Sequence, residues 1–533
     1  MGSAVSLRRL FLTPVAFLSL LLFVTVLLVT LRLCTIDLSR VGLSFVVWIT
    51  VFIFLALNVS RMLVCTIYAV FFPEKRTREA FLTEIPRTAI IYTLRAESCG
   101  LFERIGYTVG NNYLSNVDVW IASGDAADEF LRYEESVVDR LRQKYGHDRI
   151  RYFHVHDVAK KKKEMLDAWL KMHGAEYDYF VTCDGDSLLP KDFILRLLRK
   201  ANHPDNADVA IFQSAIAIAN AKTHFSHNQL VGNKIAKRLY GATLQSAFDR
   251  FIYWGHNALV RTRCFMQIRI PENVLSHDIW ETVYLDKLGY RTVYCTDVVS
   301  YEEAPANYLE SKKRSARWAR GNLQTWRLMF TKGISAASRF YVVDGIYSYI
   351  SSLVFITWVY SGIALEKTDL WIDLASTRYL TTTVMLSIVF LHKLSMCKSI
   401  RQCPALLCEI GLSTLISLNN LFYITVAVLK IPFQRKAKWI PMKKNPSETL
   451  YFRDVVSHLW PGTLLGIVSI HVAIAYAPTW GVCSIPLLMS MVLSIPVVYL
   501  TGQYRGRQRA NSGASAAPLT AMVAREHGLR VSL

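Results

Sequence analysis

Long apolar runs on both sides of a charged middle region constrain this chain more than any other feature. Two uncharged runs, 10–31 and 41–60, are each close to the ~20 residues that span the hydrocarbon core of a bilayer. Further apolar stretches follow the middle region at 340–365, 379–392, 405–430, 459–477 and 482–501. With 52% apolar residues and a mean hydropathy of +0.25, the chain is too apolar for a soluble enzyme of 533 residues. The sequence therefore predicts a membrane α-helical bundle with an inserted polar domain.

The domain organisation follows from these runs. Residues 1–72 are predicted to form two transmembrane helices, and 73–339, with mixed α/β periodicity and no spanning run, one catalytic domain. Residues 340–502 are predicted to form transmembrane channel helices. The basic tail, 503–533, is expected to be disordered and cytosolic.

Positive charge lies beside the apolar runs. A net charge of +20 suits a nucleic-acid-binding protein, but arginines and lysines that flank membrane segments are typical of cytosolic loops. We therefore expect a multi-pass protein with a cytosolic catalytic domain, in contact with membrane lipid and without a nucleic-acid partner.

The same rule bears on segment 405–430. Both of its flanks are basic, so both ends favour the cytosol, and we expect it to lie at the interface or to re-enter. Two spans before the domain and four after it then leave both termini inside. The following loop, 433–445, is predicted to close over a donor diphosphate, and the alternative is an ordinary cytosolic loop.

Two carboxylates follow a predicted buried strand. The stretch 179–190 reads YFVTCDGDSLLP and delivers Asp184 and Asp186 to the strand's carboxyl end, where α/β sheets bind ligands. Two carboxylates with the oxygens of a nucleotide-sugar diphosphate suit Mg²⁺ or Mn²⁺. A lone DxD is more often a strand followed by an acidic turn, so the downstream motifs decide between the two interpretations.

Three upstream positions are candidates for donor binding. A strand at 88–93 ends just before Glu97, and a strand at 117–122 is followed by Asp125, which could accept a hydrogen bond from the uracil imide. The alternative for Asp125 is an ordinary polar turn. A run of four lysines opens a helix, either as a solvated face or with Lys161 reaching the diphosphate.

The stretch 253–261, YWGHNALVR, has the composition of a sugar-binding floor. Aromatic rings stack on pyranose faces, while histidine and asparagine bind hydroxyls, so Trp254, His256 and Asn257 are candidate acceptor contacts. Trp318, just before the membrane resumes, is expected to hold the acceptor sugar at the pore mouth.

Charged residues complete the predicted site. Asp278 opens a predicted helix and is either a general base or a helix cap. Because Asp184 and Asp186 would be engaged by a cation, Asp278 is the carboxylate left to accept a proton. Arg314 and Arg317 could neutralise the departing diphosphate.

The order of Asp125, the DxD at 184–186, a motif ending in Asp278 and xxRW ending in Trp318 resembles the processive family 2 glycosyltransferases, which include cellulose and hyaluronan synthases. Within that group the chain is most similar to the glucans biosynthesis glucosyltransferase H family. The matching words are AKRLYG (236–241), YWGHNALVR (253–261), LSHD (275–278), SYEEAPAN (300–307), ARWARGNLQ (316–324) and LSIPV (493–497).

The resemblance implies a glycosyltransferase-A type, Rossmann-like domain and an inverting transfer from UDP-glucose to a growing glucan, with Mg²⁺ or Mn²⁺ as cofactor. It also implies that Asp278 is the base, that the glucan is β-1,2-linked and that it crosses the bacterial inner membrane. A periplasmic glucan-processing partner and acyl carrier protein are implied by the family alone. The chain departs from the family at TLRAES (93–98), at Arg314 in place of glutamine and at an apolar run by residue 10, where the H family has a long extension.

Three alternatives remain. A synthase of another β-polysaccharide, cellulose-like, hyaluronan-like or chitin-like, would use UDP-glucose or UDP-N-acetylglucosamine at the same site. A lipid-linked sugar transferase needs neither a sugar-gripping tryptophan nor a channel. A transporter that only binds nucleotide does not need the base Asp278.

Overall fold

The computed structural model describes residues 13–33, 43–72, 74–97, 99–125, 127–155, 162–219, 221–272, 274–365, 375–395, 403–433 and 450–503. The predicted loop 433–445 and tail 503–533 lie almost wholly outside these residues. The first two apolar runs form helices α1 (Pro14–Leu33) and α2 (Leu43–Phe71), which pack against each other. The second helix extends well past the predicted end at residue 60.

The inserted domain is built on a seven-stranded sheet in the order β3-β2-β1-β4-β6-β5-β7. The strands are β1 (Thr88–Leu94), β2 (Val117–Ser123), β3 (Ile150–His154), β4 (Tyr179–Asp184), β5 (Val209–Ala219), β6 (Ala258–Arg261) and β7 (Arg291–Glu303). Strands β1 to β4 are mutually parallel, so their carboxyl ends share one edge. Strand β6 runs antiparallel to β4 and β5, and β7 is parallel to β5.

Helices cover both faces of the sheet. They are α3 (Leu101–Asn111), α4 (Asp128–Tyr145), α5 (Lys162–His173), α6 (Phe193–Ala201), α7 (His224–Ile235), α8 (Thr243–Phe248), α9 (Thr262–Phe265), α10 (His277–Lys287) and α11 (Tyr308–Gln324). A π-helical stretch, Ala236–Ala242, joins α7 to α8 and contains the AKRLYG motif. π-Helical turns are rare and often lie at functional sites.

Alternate residues of β1 supply two separate cores, as the pleat of a strand requires. Ile90 and Tyr92 pack with α3, α4 and α6 on one face. Ala89 and Ile91 pack on the other face with Trp169 of α5 and its neighbours. A strand buried on both faces reads as a continuous apolar run, which explains why TAIIYT was recognisable in the sequence.

The membrane region follows the domain as α12 (Ala336–Leu365), α13 (Ala375–Leu394), α14 (Cys403–Lys430), α15 (Phe452–Tyr476), α16 (Pro478–Val492) and α17 (Ser494–Thr501). Among the described residues, four helical segments are long and apolar enough to cross a bilayer: Ile49–Phe71, Ala336–Ala364, Cys403–Phe433 and Phe452–Tyr476. The segment Pro14–Thr30 is a shorter apolar helix. The length of α14 permits a span, and its predicted interfacial position stays a prediction.

The last apolar run is bent, in contrast to the straight span expected over 482–501. Helices α16 and α17 meet at 64° beside Leu493. Pro496 explains the break, because a proline ring within a helix clashes with the carbonyl group four residues earlier, here that of Val492.

Close contacts join the domain to the membrane helices. Arg61 of α2 forms an ion pair with Asp344 of α12, and the Tyr240 hydroxyl of the π-helical stretch donates to the same carboxylate. Between α11 and α12, a Cβ atom on Gly345 would lie 2.4 Å from Asn322 Oδ1, so the Asn322 side chain packs directly against the backbone of α12. The membrane region and the domain are therefore tied together beside the carboxyl edge of the sheet.

Candidate active site

The predicted DxD motif lies at the carboxyl end of β4. A tight turn follows Asp184, whose carbonyl group accepts from the Ser187 amide at 2.9 Å and whose amide donates to Ser187 Oγ at 3.0 Å. The Asp184 side chain is 38% exposed, while Asp186 is buried. Glu97 lies against the position between them, since a Cβ atom on Gly185 would lie 2.8 Å from Glu97 Cδ. Glu97 thus stands beside the two aspartates, as its place after β1 predicted.

A lysine from α5 reaches this edge. Lys161 lies outside the described residues, but its neighbour Lys162 forms an ion pair with Asp184. Lys162 also interacts electrostatically with His256 and Asp278. The lysine run therefore supplies a positive charge to the candidate site through Lys162, whereas Lys163 pairs with Asp167 on its own helix.

The two aspartates fit a divalent cation bound together with a diphosphate. Within the described ranges, no group of three or more histidine, cysteine, aspartate or glutamate side chains is arranged to hold a metal ion. Mg²⁺ is commonly bound through one or two carboxylates, with substrate phosphates and water as the remaining ligands. The ammonium group of Lys162 shows that a cation is accommodated at Asp184, so the donor set matches this mode of binding.

His256 is a charged link between carboxylates. Its Nε2 lies 2.8 Å from Glu302 Oε2, and its Nδ1 lies 3.0 Å from the Trp254 carbonyl oxygen and 4.0 Å from Asp184 Oδ2. Burial by itself lowers the pKa of His256, but Asp184 and Glu302 together raise it to about 9. Both ring nitrogens are thus protonated at neutral pH, and both already have partners within the protein. The predicted contact of His256 with a sugar hydroxyl stays a prediction.

The rest of the YWGHN stretch is more buried than expected of a sugar floor. Asn257 has no exposed surface, and its left-handed backbone (φ 53°) is held by the amide's hydrogen bond to the Thr182 carbonyl oxygen at 2.7 Å. The partly buried ring of Trp254 packs against Phe251 and Tyr294. Its predicted contact with an acceptor, like that of Asn257, stays a prediction.

Asp278 lies in the first turn of α10, and it does not cap the helix. The residue before the helix, Ser276, makes no side-chain cap, and Asp278 Oδ1 accepts only from the adjacent Ile279 amide at 3.1 Å. Its Oδ2 faces Gly255 of the YWGHN stretch, where an added Cβ atom would lie 3.7 Å away. Burial raises the pKa of Asp278 above its ordinary value, and the neighbouring His277 opposes this rise.

The RSARW motif forms the middle of α11. The Arg314 guanidinium stacks on the Trp318 ring, with 4.6 Å between Cζ and the ring centroid, and Trp318 remains 45% exposed. Burial lowers the pKa of both Arg314 and Arg317; interactions with Glu302 and Asp184, respectively, oppose the decrease. Both arginines are therefore electrostatically coupled to the acidic edge of the sheet.

Asp125 connects two strand ends. Both of its carboxylate oxygens accept from the Ala96 amide, at 2.9 and 2.7 Å, and the side chain is 7% exposed. Ala96 adopts a left-handed conformation (φ 54°) in the TLRAES turn. Asp125 therefore holds the turn that carries Glu97, whether or not it also contacts a nucleobase.

Sequence reasoning missed several residues of the site. Lys162 lies in the lysine run and Glu302 in SYEEAPAN, both of which were noted in the sequence. Nothing in either stretch indicated which of its residues would reach the site. Arg104, which pairs with Glu303 at 3.1 Å, lies in ordinary amphipathic helical sequence. Tyr349 lies in an apolar run on α12 and interacts electrostatically with Arg314 and Asp278.

Residues 179–402 match the family model described as glycosyl transferase family group 2. The chain carries a glycosyltransferase domain. The glycosyltransferase is also 26% identical to the glucans biosynthesis glucosyltransferase H of Shewanella oneidensis over 436 residues, which are 72% of this chain and 59% of that protein. The protein of the same name from Bradyrhizobium diazoefficiens is 26% identical over 432 residues, 72% of this chain and 55% of that one.

These matches confirm the predicted resemblance, although the glycosyltransferase spans less than two thirds of the length of the two relatives. A mannosyltransferase from Pyrobaculum calidifontis, solved with GDP-Man and Mn²⁺, aligns with a TM-score of 0.50 at 15% identity. The alignment covers 74% of this chain and 99% of that chain. It supports the predicted glycosyltransferase-A type fold for the α/β domain.

Proposed function

We propose that this glycosyltransferase is an inverting, processive enzyme that transfers glucose from UDP-glucose to a growing glucan at the cytosolic face of the bacterial inner membrane. The product, a β-1,2-linked glucan, passes outward between the membrane helices. One observation carries the proposal: the DxD aspartates, Asp278 and the RSARW helix meet beside α12, the first long apolar helix after the domain. Periplasmic glucan-processing and acyl carrier partners are part of the proposal by resemblance alone.

The donor diphosphate would bind over Asp184. Lys162 and Arg317, both coupled to Asp184, supply positive charge for the leaving UDP. A Mg²⁺ or Mn²⁺ ion held by Asp184 and Asp186 would neutralise the diphosphate further when bound. When the diphosphate takes over Lys162, Asp184 would exchange this partner for the metal ion.

Asp278 is suited to remove the acceptor proton. Direct displacement at the anomeric carbon inverts its configuration and requires the attacking hydroxyl to lose a proton as the bond to UDP breaks. Oδ2 of Asp278 makes no hydrogen bond to a described residue, and the raised pKa makes the carboxylate a stronger base. A base works best when its pKa lies near the operating pH, so the shift acts in the required direction.

Trp318 provides the acceptor platform. One face of its ring carries the Arg314 guanidinium, and nearly half of the side chain is exposed. Stacking on a pyranose would hold the chain end while the next donor enters. Tyr349 adds a hydroxyl-bearing ring from α12 near the same place, which favours a product path along the membrane helices over release into the cytosol.

Incubation with different nucleotide-sugars tests this function. Purified full-length enzyme is incubated separately with UDP-glucose, UDP-N-acetylglucosamine and GDP-mannose, and any polymer is analysed for its linkages. The expected product is a β-1,2-glucan from UDP-glucose alone. Polymer from UDP-N-acetylglucosamine instead would establish the chitin-like or hyaluronan-like alternative. Transfer to a lipid phosphate without polymer would establish the lipid-linked alternative.

A further inference from the structure

A second carboxyl group is buried behind Asp125. Glu134 of α4 has no exposed surface, and its Oε2 accepts a hydrogen bond from the Tyr152 hydroxyl of β3 at 2.9 Å. The same carboxyl group is in hydrogen-bond contact with the Asp125 side chain. Glu134 therefore lies against the residue that ties β2 to the TLRAES turn.

This contact requires a proton. Two carboxylates that touch inside a protein cannot both be ionised at moderate cost. If both were, Oε1 of Glu134 would be buried without a donor from any residue in the described ranges. One of the two acids must therefore be neutral and must donate to the other.

The surroundings assign the proton to Glu134. Burial raises the pKa of Asp125, but the bonds from the Ala96 amide to both of its oxygens and the nearby Arg95 and His154 side chains favour its ionised form. Within the described ranges, Glu134 faces the Ser123 and Tyr152 hydroxyls, which favour its ionised form, and the Asp125 carboxylate, which opposes it; no basic group is among these contacts. Burial is the largest influence and raises the pKa of Glu134 to about 7.

We propose that Glu134 is a positioning residue for the donor: as a neutral acid it donates a hydrogen bond to the Asp125 carboxylate and holds it in place for the nucleobase. The role rests on the proposed function, in which Asp125 accepts the imide N–H of uracil. A carboxylate has about four lone-pair sites, so the bonds to Ala96 and Glu134 leave one for the ligand.

A pH dependence of donor binding follows. Below its pKa, Glu134 is protonated and the pair is intact. Above it, two negative charges are in contact, which drives Asp125 away from the Ala96 amide and opens the turn. Donor affinity is therefore full at low pH and falls as pH rises through the pKa of Glu134, while the rate constant of the bound complex is spared.

Binding measurements on the full-length protein test this role. UDP and uridine are titrated calorimetrically between about pH 6 and pH 9, and uridine excludes any contribution from the phosphates. E134Q keeps a donor at every pH, so it should match the wild type at low pH and bind about tenfold tighter at the high end. E135Q, at the exposed adjacent glutamate, is the matched control and should follow the wild type.

Two results would overturn the proposal. One is an E134Q profile that falls with pH as steeply as that of the wild type. The other is a wild-type affinity for UDP and uridine that does not change with pH, which would contradict the proposal even if E134Q does not fold. With UDP-glucose as substrate, the effect of pH in the wild type should appear in KM and not in kcat.

The shared proton is also measured without any donor. Infrared spectra of the full-length protein should show a protonated-carboxyl band at about pH 6 that is lost as pH rises and is missing in E134Q but present in E135Q. An E134Q spectrum identical to that of the wild type would show that Glu134 is not the protonated acid. Wild-type protein that keeps this band but binds neither UDP nor uridine would instead refute the uridine donor, and with it the proposed function.

Discussion

At the scale of single residues, the carboxylates of the site have separable tasks. Asp278→Asn preserves shape and hydrogen bonding but removes basicity, so UDP binding should survive while turnover falls by about 10² to 10⁴. Asp186→Asn should instead weaken metal-dependent UDP binding, because it removes a cation ligand. Calorimetric UDP titration and initial rates on both variants separate the two effects. Equal loss of UDP affinity in both would remove Asp278 from the role of base.

Two neighbouring lysines offer a matched pair. Lys162→Ala should weaken UDP binding by about 10- to 100-fold, since a hydrogen bond to a charged group is worth about 1.5–3 kcal/mol. Lys163→Ala changes the same net charge but removes only the pair with Asp167 on the same helix, so it should bind UDP as the wild type does. Equal losses in the two variants would point to a diffuse charge effect and would contradict a direct contact by Lys162.

Much of the residue-level site was visible in the sequence, for a local reason. Asp184, Asp186 and Asp125 follow buried strands directly, so an apolar run and its end predicted their place. Lys162 and Glu302 were missed because their roles depend on which elements pack together, and no local pattern reports that. Asn257 shows a second limit, since the sequence does not report that this side chain is fully buried, and its predicted contact with an acceptor stays a prediction.

At the scale of elements, the linker between α2 and β1 is fastened to the domain by a buried lysine. Lys200 of α6 is 1% exposed and contacts Glu79 of the linker and Asp297 of β7, each at 2.9 Å. Lys200→Met should leave Glu79 without this partner and Asp297 with Arg196 alone, and should destabilise the domain by about 1–3 kcal/mol. Thermal unfolding of the detergent-solubilised protein measures the loss.

The exposed pair Arg78–Asp205 on the same linker is the control. Arg78→Met should leave the unfolding midpoint nearly unchanged, because solvent-exposed ion pairs contribute little to stability. A midpoint in Lys200→Met equal to that of Arg78→Met would show that the buried network is not a net source of stability.

Element types were more predictable than their arrangement. The sequence of helix α4 is typical of a helix, because its charges and apolar positions repeat at helical spacing. The antiparallel insertion of β6 between β4 and β5 was not predictable, since strand order depends on long-range contacts. The bend at Leu493 was signalled by Pro496 but was read as part of one continuous apolar run.

At the scale of the whole molecule, α14 decides the topology. Ser413 lies 3.4 Å from Asn228 of α7, and ten residues further on the Tyr423 ring lies 3.4 Å from Lys312 Nζ of α11. Both contacts lie within about 15 Å of helix, which is half the thickness of a hydrocarbon core, so a helix at the interface and a crossing helix can each make them. The predicted interfacial position of α14 stays a prediction.

Cysteine accessibility tests this topology. A single cysteine placed at Lys438, which lies outside the described residues, should react with a membrane-impermeant thiol reagent in inverted vesicles and not in intact cells. Labelling from the periplasmic side would show that α14 crosses.

The loop that contains Lys438 gives a separate test. Replacing Lys436 and Lys438 together with alanine should raise the KM for the donor if the loop closes over the diphosphate, and an unchanged KM would leave it an ordinary cytosolic loop.

The junction of Arg61, Asp344 and Tyr240 has a mechanical consequence. It fixes two membrane helices and the domain to one another through paired charges, and such a junction resists sliding because any displacement strands a buried ion. The distance from the candidate site to the membrane helices should then stay constant. In the proposed function, the polymer and not the domain would therefore move by one sugar after each addition.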